Sequence, residues 1–121
     1  MPKDEFAKRT FQFAARVIRL VESLPKTETA RILGKQLLRS ATSVGANYRA
    51  ASRARSRADF IAKMGIVEEE CDEKIYWIDL LVEVSAVKLV MVELLLAEAS
   101  EILAITVSSI KTARTNAQKS K

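Results

Sequence analysis

The chain is 121 residues long, 49% hydrophobic and 29% charged, with three glycines and two prolines. That is enough sequence for one helix-rich domain, and it excludes a disordered chain, an all-β fold and a pair of ordinary domains. The net charge of +5 is unevenly spread: residues 1–63 hold 14 basic and 5 acidic groups, residues 64–100 hold 2 and 9, and residues 101–121 hold 4 and 1, so the chain is electrically polarised along its length.

The chain opens Met1-Pro2-Lys3-Asp4-Glu5-Phe6, with acids where a secretion signal carries a basic end and an apolar run, so export is not indicated. From about residue 4 to 24, Phe6, Phe11, Ala14, Val17, Ile18, Val21 and Leu24 recur at steps of three and four. Lys8, Arg9, Arg16 and Arg19 fall between them, which predicts an amphipathic first helix. Pro25 disfavours helical geometry at Leu24, and Thr27 or Thr29 can accept the free N–H groups that open a new helix.

The second helix is expected over about residues 28–54. Its inward seam is read as Ala30, Leu33, Leu37, Ser40, Val44, Asn47, Ala51 and Ala54. Asn47 on that seam is read as a buried, hydrogen-bonded register device. Gly34, Ala41 and Gly45 beside the seam let another helix axis come close, at a cost of roughly 1 kcal/mol for each glycine. The opposite face carries Lys35, Arg39, Arg49 and Arg53, and Arg55 and Arg57 extend that basic edge into the following loop.

Ser56 followed by Asp59 reads as a helix start, placing the third helix over about residues 57–85. Phe60, Met64, Val67, Cys71, Ile75, Ile78, Val82 and Ser85 are its expected buried stripe, while Glu69, Asp72, Tyr76, Asp79 and Glu83 share another face. No Gly or Pro ends this helix. A helix running on from Arg57 to Ala113 would be about 85 Å long, far beyond a compact domain with a radius of gyration of roughly 14 Å, so a turn is inferred at Ser85 to Lys88.

The fourth helix, about residues 89–113, is apolar around most of its circumference. Val92, Leu95, Leu96, Ala99, Ile102, Leu103, Ile105, Val107 and Ile110 cannot all face one monomer core, so a second burial surface and self-association are expected. The tail, residues 114–121, is read as frayed. The longest greasy stretch, Val87 to Ala97, is broken by Lys88 and Glu93 and falls short of the ~20 apolar residues of a membrane span. With Cys71 the single cysteine, the expectation is a cytoplasmic protein without membrane association.

The chemistry available is narrow. The absence of histidine removes the commonest general base and the commonest transition-metal ligand, so no catalytic residue, cofactor, metal or small-molecule substrate is assigned and the protein is read as not an enzyme. The acids Glu68, Glu69, Glu70, Asp72 and Glu73 radiate around their helix rather than converge, which describes a solvated or salt-bridged surface. Cys71, within an apolar stripe and flanked by acids, reads as a small core residue. Tyr48, Tyr76 and Trp77 read as core or interface anchors. The stripe Lys35, Arg39, Arg49, Arg53, Arg55 and Arg57 is the one candidate binding feature. Two readings are open for it: salt bridging to the acidic third helix, within or between subunits, or a surface that neutralises RNA or DNA phosphates without reading sequence.

The run Leu37-Leu38-Arg39-Ser40-Ala41-Thr42-Ser43-Val44-Gly45-Ala46-Asn47-Tyr48-Arg49-Ala50-Ala51, followed by Ser56-Arg57-Ala58-Asp59-Phe60 and then Glu68-Glu69-Glu70-Cys71-Asp72-Glu73, resembles the bacterial four helix bundle protein family. Its members include proteins encoded in intervening sequences of 23S ribosomal RNA genes. The resemblance spans roughly Phe6 to Arg114. It implies an all-α, antiparallel, up-and-down, left-handed four-helix bundle that assembles as a ring-shaped homopentamer, and it brings no catalytic residues. The accessory variability determinant proteins of retroelements look similar in architecture, and there a basic ring is associated with nucleic-acid binding. Many members of the family carry a Gly at the turn before the last helix, where this chain has Ser85-Ala86-Val87-Lys88.

Overall fold

The computed structural model describes residues 3–119, with side-chain surroundings from residue 5 to residue 116. Four helices follow one another: α1, Lys3–Glu22; α2, Glu28–Ser52; α3, Arg57–Glu83; and α4, Leu89–Lys119. Each packs against its neighbours in the chain to make an all-α four-helix bundle, with α1 and α4 meeting more sparsely than the other adjacent pairs.

Local chemistry fixes where the helices start and stop. The α1 backbone tightens as Ser23 and Leu24 donate their N–H groups to the Leu20 and Val21 carbonyls at 3.0 and 3.2 Å, just before Pro25. Thr27 then opens α2, its side-chain oxygen accepting the Ala30 N–H at 3.1 Å. Ser56 opens α3 in the same way, accepting the Asp59 N–H at 3.0 Å. The end of α3 is a Schellman turn: the Ala86 N–H reaches the Leu81 carbonyl at 2.9 Å and the Ser85 N–H reaches Val82 at 3.0 Å. Ser85 occupies the left-handed position of that turn with φ 60°, a conformation that favours glycine. The inferred break between the last two helices is thus present, made without a glycine.

Phe13, Val17, Leu37, Val44, Met64, Val67, Ile78, Leu81, Val92 and Ile102 are all but sealed from solvent. Each such side chain contributes about 1.5–3 kcal/mol when buried, which is what holds the four helices together. The two α2 glycines lie against α1 and the turn that follows it: a Cβ on Gly34 would sit 3.3 Å from Val21 Cγ1 and 2.9 Å from Leu24 Cδ1, and one on Gly45 would sit 3.4 Å from Thr10 Oγ1. Their expected role in close helix approach therefore has a definite partner. Tyr48 is buried with its ring edge-on to Phe6 at 4.7 Å, Trp77 is half-buried, and Tyr76 stands exposed.

Three expectations need correction. The last helix, expected to end near residue 113, runs on through Lys119, Ala117, Gln118 and Lys119 being good helix formers; residues 120 and 121 of the tail read as frayed lie outside the described residues. The buried stripe of α3 is rotated by one position in its second half: Lys74 and Leu81 are sealed inside, Ile75 and Val82 are only partly buried, and Ser85 is exposed. Asn47 is only partly buried and donates its side-chain amide to the Ser43 carbonyl of its own helix at 2.8 Å, so it fixes no register between helices. Among the described residues, no helix is long and apolar enough to cross a membrane.

Candidate nucleic-acid interface

All six residues of the basic stripe are exposed, but the bundle does not bring them together as one patch. Lys35 and Arg49 are fourteen positions apart on α2, or about 21 Å along its axis. Arg39, between them, leans towards α3. Its guanidinium donates to Glu70 at 3.3 Å and to Glu73, so its charge is spent on a neighbouring helix. Arg49, Arg53, Arg55 and Arg57 cluster instead at the end of the bundle where α2 finishes and α3 begins.

Within that end the four arginines differ. Arg53 caps α2 through its backbone, with its side chain left to solvent. The Arg55 backbone N–H donates to Asp59 at 3.4 Å, while the Asp59 carboxylate accepts from Lys63 Nζ at 2.7 Å. That hydrogen bond from Lys63 is the main reason the Asp59 carboxyl titrates below its ordinary value. Arg57 lines a cleft of about 780 Å³ together with Phe6, Tyr48, Phe60 and the last turns of α4. Among the described residues, the side chains of Arg49, Arg53 and Arg55 form no ion pair.

The fold adds a cation that the six-residue stripe does not include. Lys8 of α1 and Arg49 of α2 line the same groove between those helices, because antiparallel packing returns the end of α2 beside the start of α1. The signal was present in the sequence, since Lys8, Arg16 and Arg19 sit between the apolar positions of α1 and all three are exposed. Arg9 belongs elsewhere: it grips Glu98 of α4 with two hydrogen bonds at 3.0 and 2.6 Å and reaches Glu101 at 3.2 Å. The hydrogen bond from Arg9 holds the Glu98 carboxyl low, and the same contact raises the Arg9 guanidinium further above its ordinary value.

Burial pushes the Cys71 thiol up, away from the thiolate a nucleophile needs. Among the described residues, no three His, Cys, Asp or Glu side chains are grouped to hold a metal ion. The interior does hold one group the sequence reading passed over. Lys74 is completely buried, its Nζ lies 3.9 Å from the centre of the Phe13 ring, and among the described residues that nitrogen has no hydrogen-bond partner. Desolvation lowers it to about 8. The only hint in the sequence was the three-four step from Cys71 to Lys74 and on to Ile78, which a strict apolar count rejects.

Comparison with known proteins agrees with this architecture. The model of the 23S rRNA-intervening sequence protein family matches residues 3–108. A solved structure from Bacteroides thetaiotaomicron, described as a protein with unknown function from the S23 ribosomal protein family, is 35% identical. Its alignment covers 92% of this chain and 99% of that one, with a TM-score of 0.85. A search of curated proteins finds no match.

Proposed function

The chain belongs to the 23S rRNA-intervening sequence protein family, and from that premise we propose that it is a non-enzymatic, cytoplasmic homo-oligomer that binds RNA or DNA backbones without reading sequence. The subunits form a pentamer, and the binding surface is the basic end of each bundle: Arg49, Arg53, Arg55 and Arg57, joined by Lys8 and flanked along α2 by Lys35. The observation that carries this reading is that Arg49, Arg53 and Arg55 are exposed at one end of the bundle and that none of their side chains forms an ion pair among the described residues. Five copies at +5 each bring the assembly to about +25, enough for salt-sensitive attraction to phosphates even where each contact is weak.

A second reading has its own support. Arg39 meeting Glu70 and Glu73 is the pairing expected of a structural or protein-interaction module whose basic and acidic helices neutralise each other. The two readings separate on charge reversal at Arg53 and Arg55, which leaves assembly intact under the first and disrupts it under the second.

Fluorescence anisotropy of a labelled structured RNA and a matched DNA duplex, titrated at low and near-physiological salt, tests the proposal. Four phosphate contacts predict that affinity falls about 100-fold between 50 and 200 mM salt. Arg53→Glu with Arg55→Glu is expected to weaken binding at least tenfold while light scattering returns an unchanged mass. Absence of binding at low salt would overturn the nucleic-acid reading and leave the interaction scaffold.

A further inference from the structure

The bundle leaves α4 with more apolar surface than it covers. Val92, Leu95, Ala99 and Ile102 face the core, yet Val90, Met91 and Leu94 in the first turns are 71%, 72% and 80% exposed. At three- and four-residue spacing the three side chains share one face of the helix and form a continuous apolar surface. Leu89 and, in the preceding turn, Val84 extend the patch at about half exposure. Exposed Glu83 and Glu93 stand beside it, with Lys88 between them.

A matching depression lies on a different pair of helices. Between α1 and α2 runs a groove of about 700 Å³, made by the small residues Ala14, Gly45 and Ala46, with Phe11 and Ile18 as its apolar wall. Phe11 is 76% exposed, a large aromatic ring that nothing in the monomer uses. Lys8 and Arg49 stand on the groove's edges, opposite in sign to Glu83 and Glu93 beside the α4 patch.

We propose that the α4 patch of one copy seats in the α1–α2 groove of the next, head to tail. This rests on the self-association in the function proposed above and names the surfaces that make it. The patch is convex and built of long side chains; the groove is concave because its residues are small; and the flanking charges are complementary. A contact between two different patches cannot be self-complementary, so it repeats from copy to copy and closes as a ring when the rotation allows. The groove spans residues 7–18 of α1 and 42–49 of α2, near the end where α1 begins, whereas the patch lies at the opposite end, where α4 begins. In a closed ring both surfaces must sit at the same height, so each bundle tilts against the ring axis. Arg49, on the groove edge, then lies beside the contact, while Arg53 and Arg55 lie beyond it.

The test uses variants that disable one surface each. Leu94→Asp removes the patch and leaves the groove; Phe11→Asp removes the groove wall and leaves the patch; Ala46→Arg fills the groove from an exposed position without touching the core. By light scattering, wild type is expected as an oligomer and each variant as a monomer of 13.5 kDa, with the dissociation constant raised at least 100-fold. An equimolar mixture of Leu94→Asp with either groove variant is expected to form a 1:1 dimer of about 27 kDa, since one intact patch and one intact groove remain between them. Wild-type mass retained by Leu94→Asp, or by both groove variants, or a mixture that stays monomeric, would overturn this contact while leaving self-association in place. A wild-type protein that is monomeric at every concentration would remove both. Anisotropy titrations on the monomeric variants read nucleic-acid binding separately, because Phe11, Ala46 and Leu94 are outside the basic set.

Discussion

Where α2 meets α3, the bundle closes on uncharged side chains, Leu37, Ala41 and Val44 from one helix and Met64 and Val67 from the other, and Arg39 reaches across only at the exposed rim. The side shared by α1 and α4 is closed differently. There the helices touch sparsely, Arg9 clamps Glu98 and Glu101, and the space behind holds Lys74 above the Phe13 ring. One seam is held by packing with a charge pair added at its surface; the other depends on charges that are partly or wholly withdrawn from water. The same kind of ion pair therefore has different worth in the two places, because the cost of losing a partner rises as solvent is excluded. The two seams can be pulled apart by substitution, starting with the group that is most deeply buried.

Lys74→Met keeps the length of the side chain and removes the amine. Lys74 is lowered from 10.5 to about 8 by burial, against the attraction of Cys71 on its own helix and Glu98 on α4, with Phe13 facing it from α1. At pH 7 both folded and unfolded forms carry the proton, so the full cost of burying the charge is present. Between pH 8 and 10.5 the unfolded chain binds more protons than the folded one, so this group's contribution to stability rises with pH across that window. The variant is thus expected to be more stable than wild type by about 3 kcal/mol at pH 7, with the advantage fading towards pH 10.5. The Cys71 thiol, raised by burial and held down in part by Lys74, titrates with the opposite sign; losing that attraction raises it further in the variant, which adds to the fading at high pH. Urea unfolding of the two proteins at pH 7 and pH 10.5 measures it; an equal difference at both pH values would mean that the buried proton is not the cause.

The clamp on the same side comes next in size. Arg9→Met is expected to cost about 1–2 kcal/mol, since Arg9 and Glu98 are only about a quarter exposed and are joined by two charge-assisted hydrogen bonds. The Glu98 carboxyl is lowered first by the hydrogen bond from Arg9, so its contribution is present above the ordinary value of 4.5 and is lost as pH falls through its lower folded value. Wild type and Arg9→Met should therefore converge in stability under acid, and unfolding curves at pH 7 and pH 2.5 check it.

These two groups also mark where the sequence stops being legible. Helix number and the starts of α2 and α3 follow from apolar period and turn chemistry, because Pro25, Ser56 and the threonines at 27 and 29 act locally; the start of α4 followed only from the length that a compact domain allows. The second half of α3 does not. An apolar count prefers Ile75 to Lys74, yet the rotation of a helix is set by all its neighbours at once, and the ring of Phe13 gives the lysine stem and amine a place that no local rule describes. The basic stripe was legible as a face of α2, since spacing fixes that much. Which arginines keep their charge available was not, because Arg39 is met by Glu70 and Glu73 from a helix thirty residues away, and Lys8 joins Arg49 only through antiparallel packing.

A smaller effect probes how α4 is delivered to the weaker seam. Ser85 holds φ 60° at the Schellman position, where a side chain other than hydrogen costs about 1 kcal/mol. Ser85→Gly should relieve most of that cost, offset by the greater freedom of glycine in the unfolded chain, for a net gain of about 0.5 kcal/mol and roughly 2 °C in Tm by calorimetry. Ser85→Val, which adds a β-branch in the left-handed region, should move Tm the other way. A drop in Tm for the glycine variant would show that Ser85 contributes more as a serine than its backbone costs.

The smallest change belongs to the seam closed by packing. Arg39→Ala removes a cation that is about half exposed, and Glu73, one of its two partners, still accepts the Trp77 Nε1–H at 3.1 Å. No carboxylate is left stranded in a dry place, so stability should fall by no more than about 0.5 kcal/mol, and the mass by light scattering should not change. Nucleic-acid affinity should move less than twofold, in contrast to Arg53→Glu with Arg55→Glu, because Arg39 is already neutralised. Raising the salt should shrink even the small stability difference, since an exposed pair is screened whereas the Arg9 clamp is less so. A loss above about 2 kcal/mol, or a lighter assembly, would instead make the α2–α3 charge pairing structural and shift the balance towards the interaction-module reading.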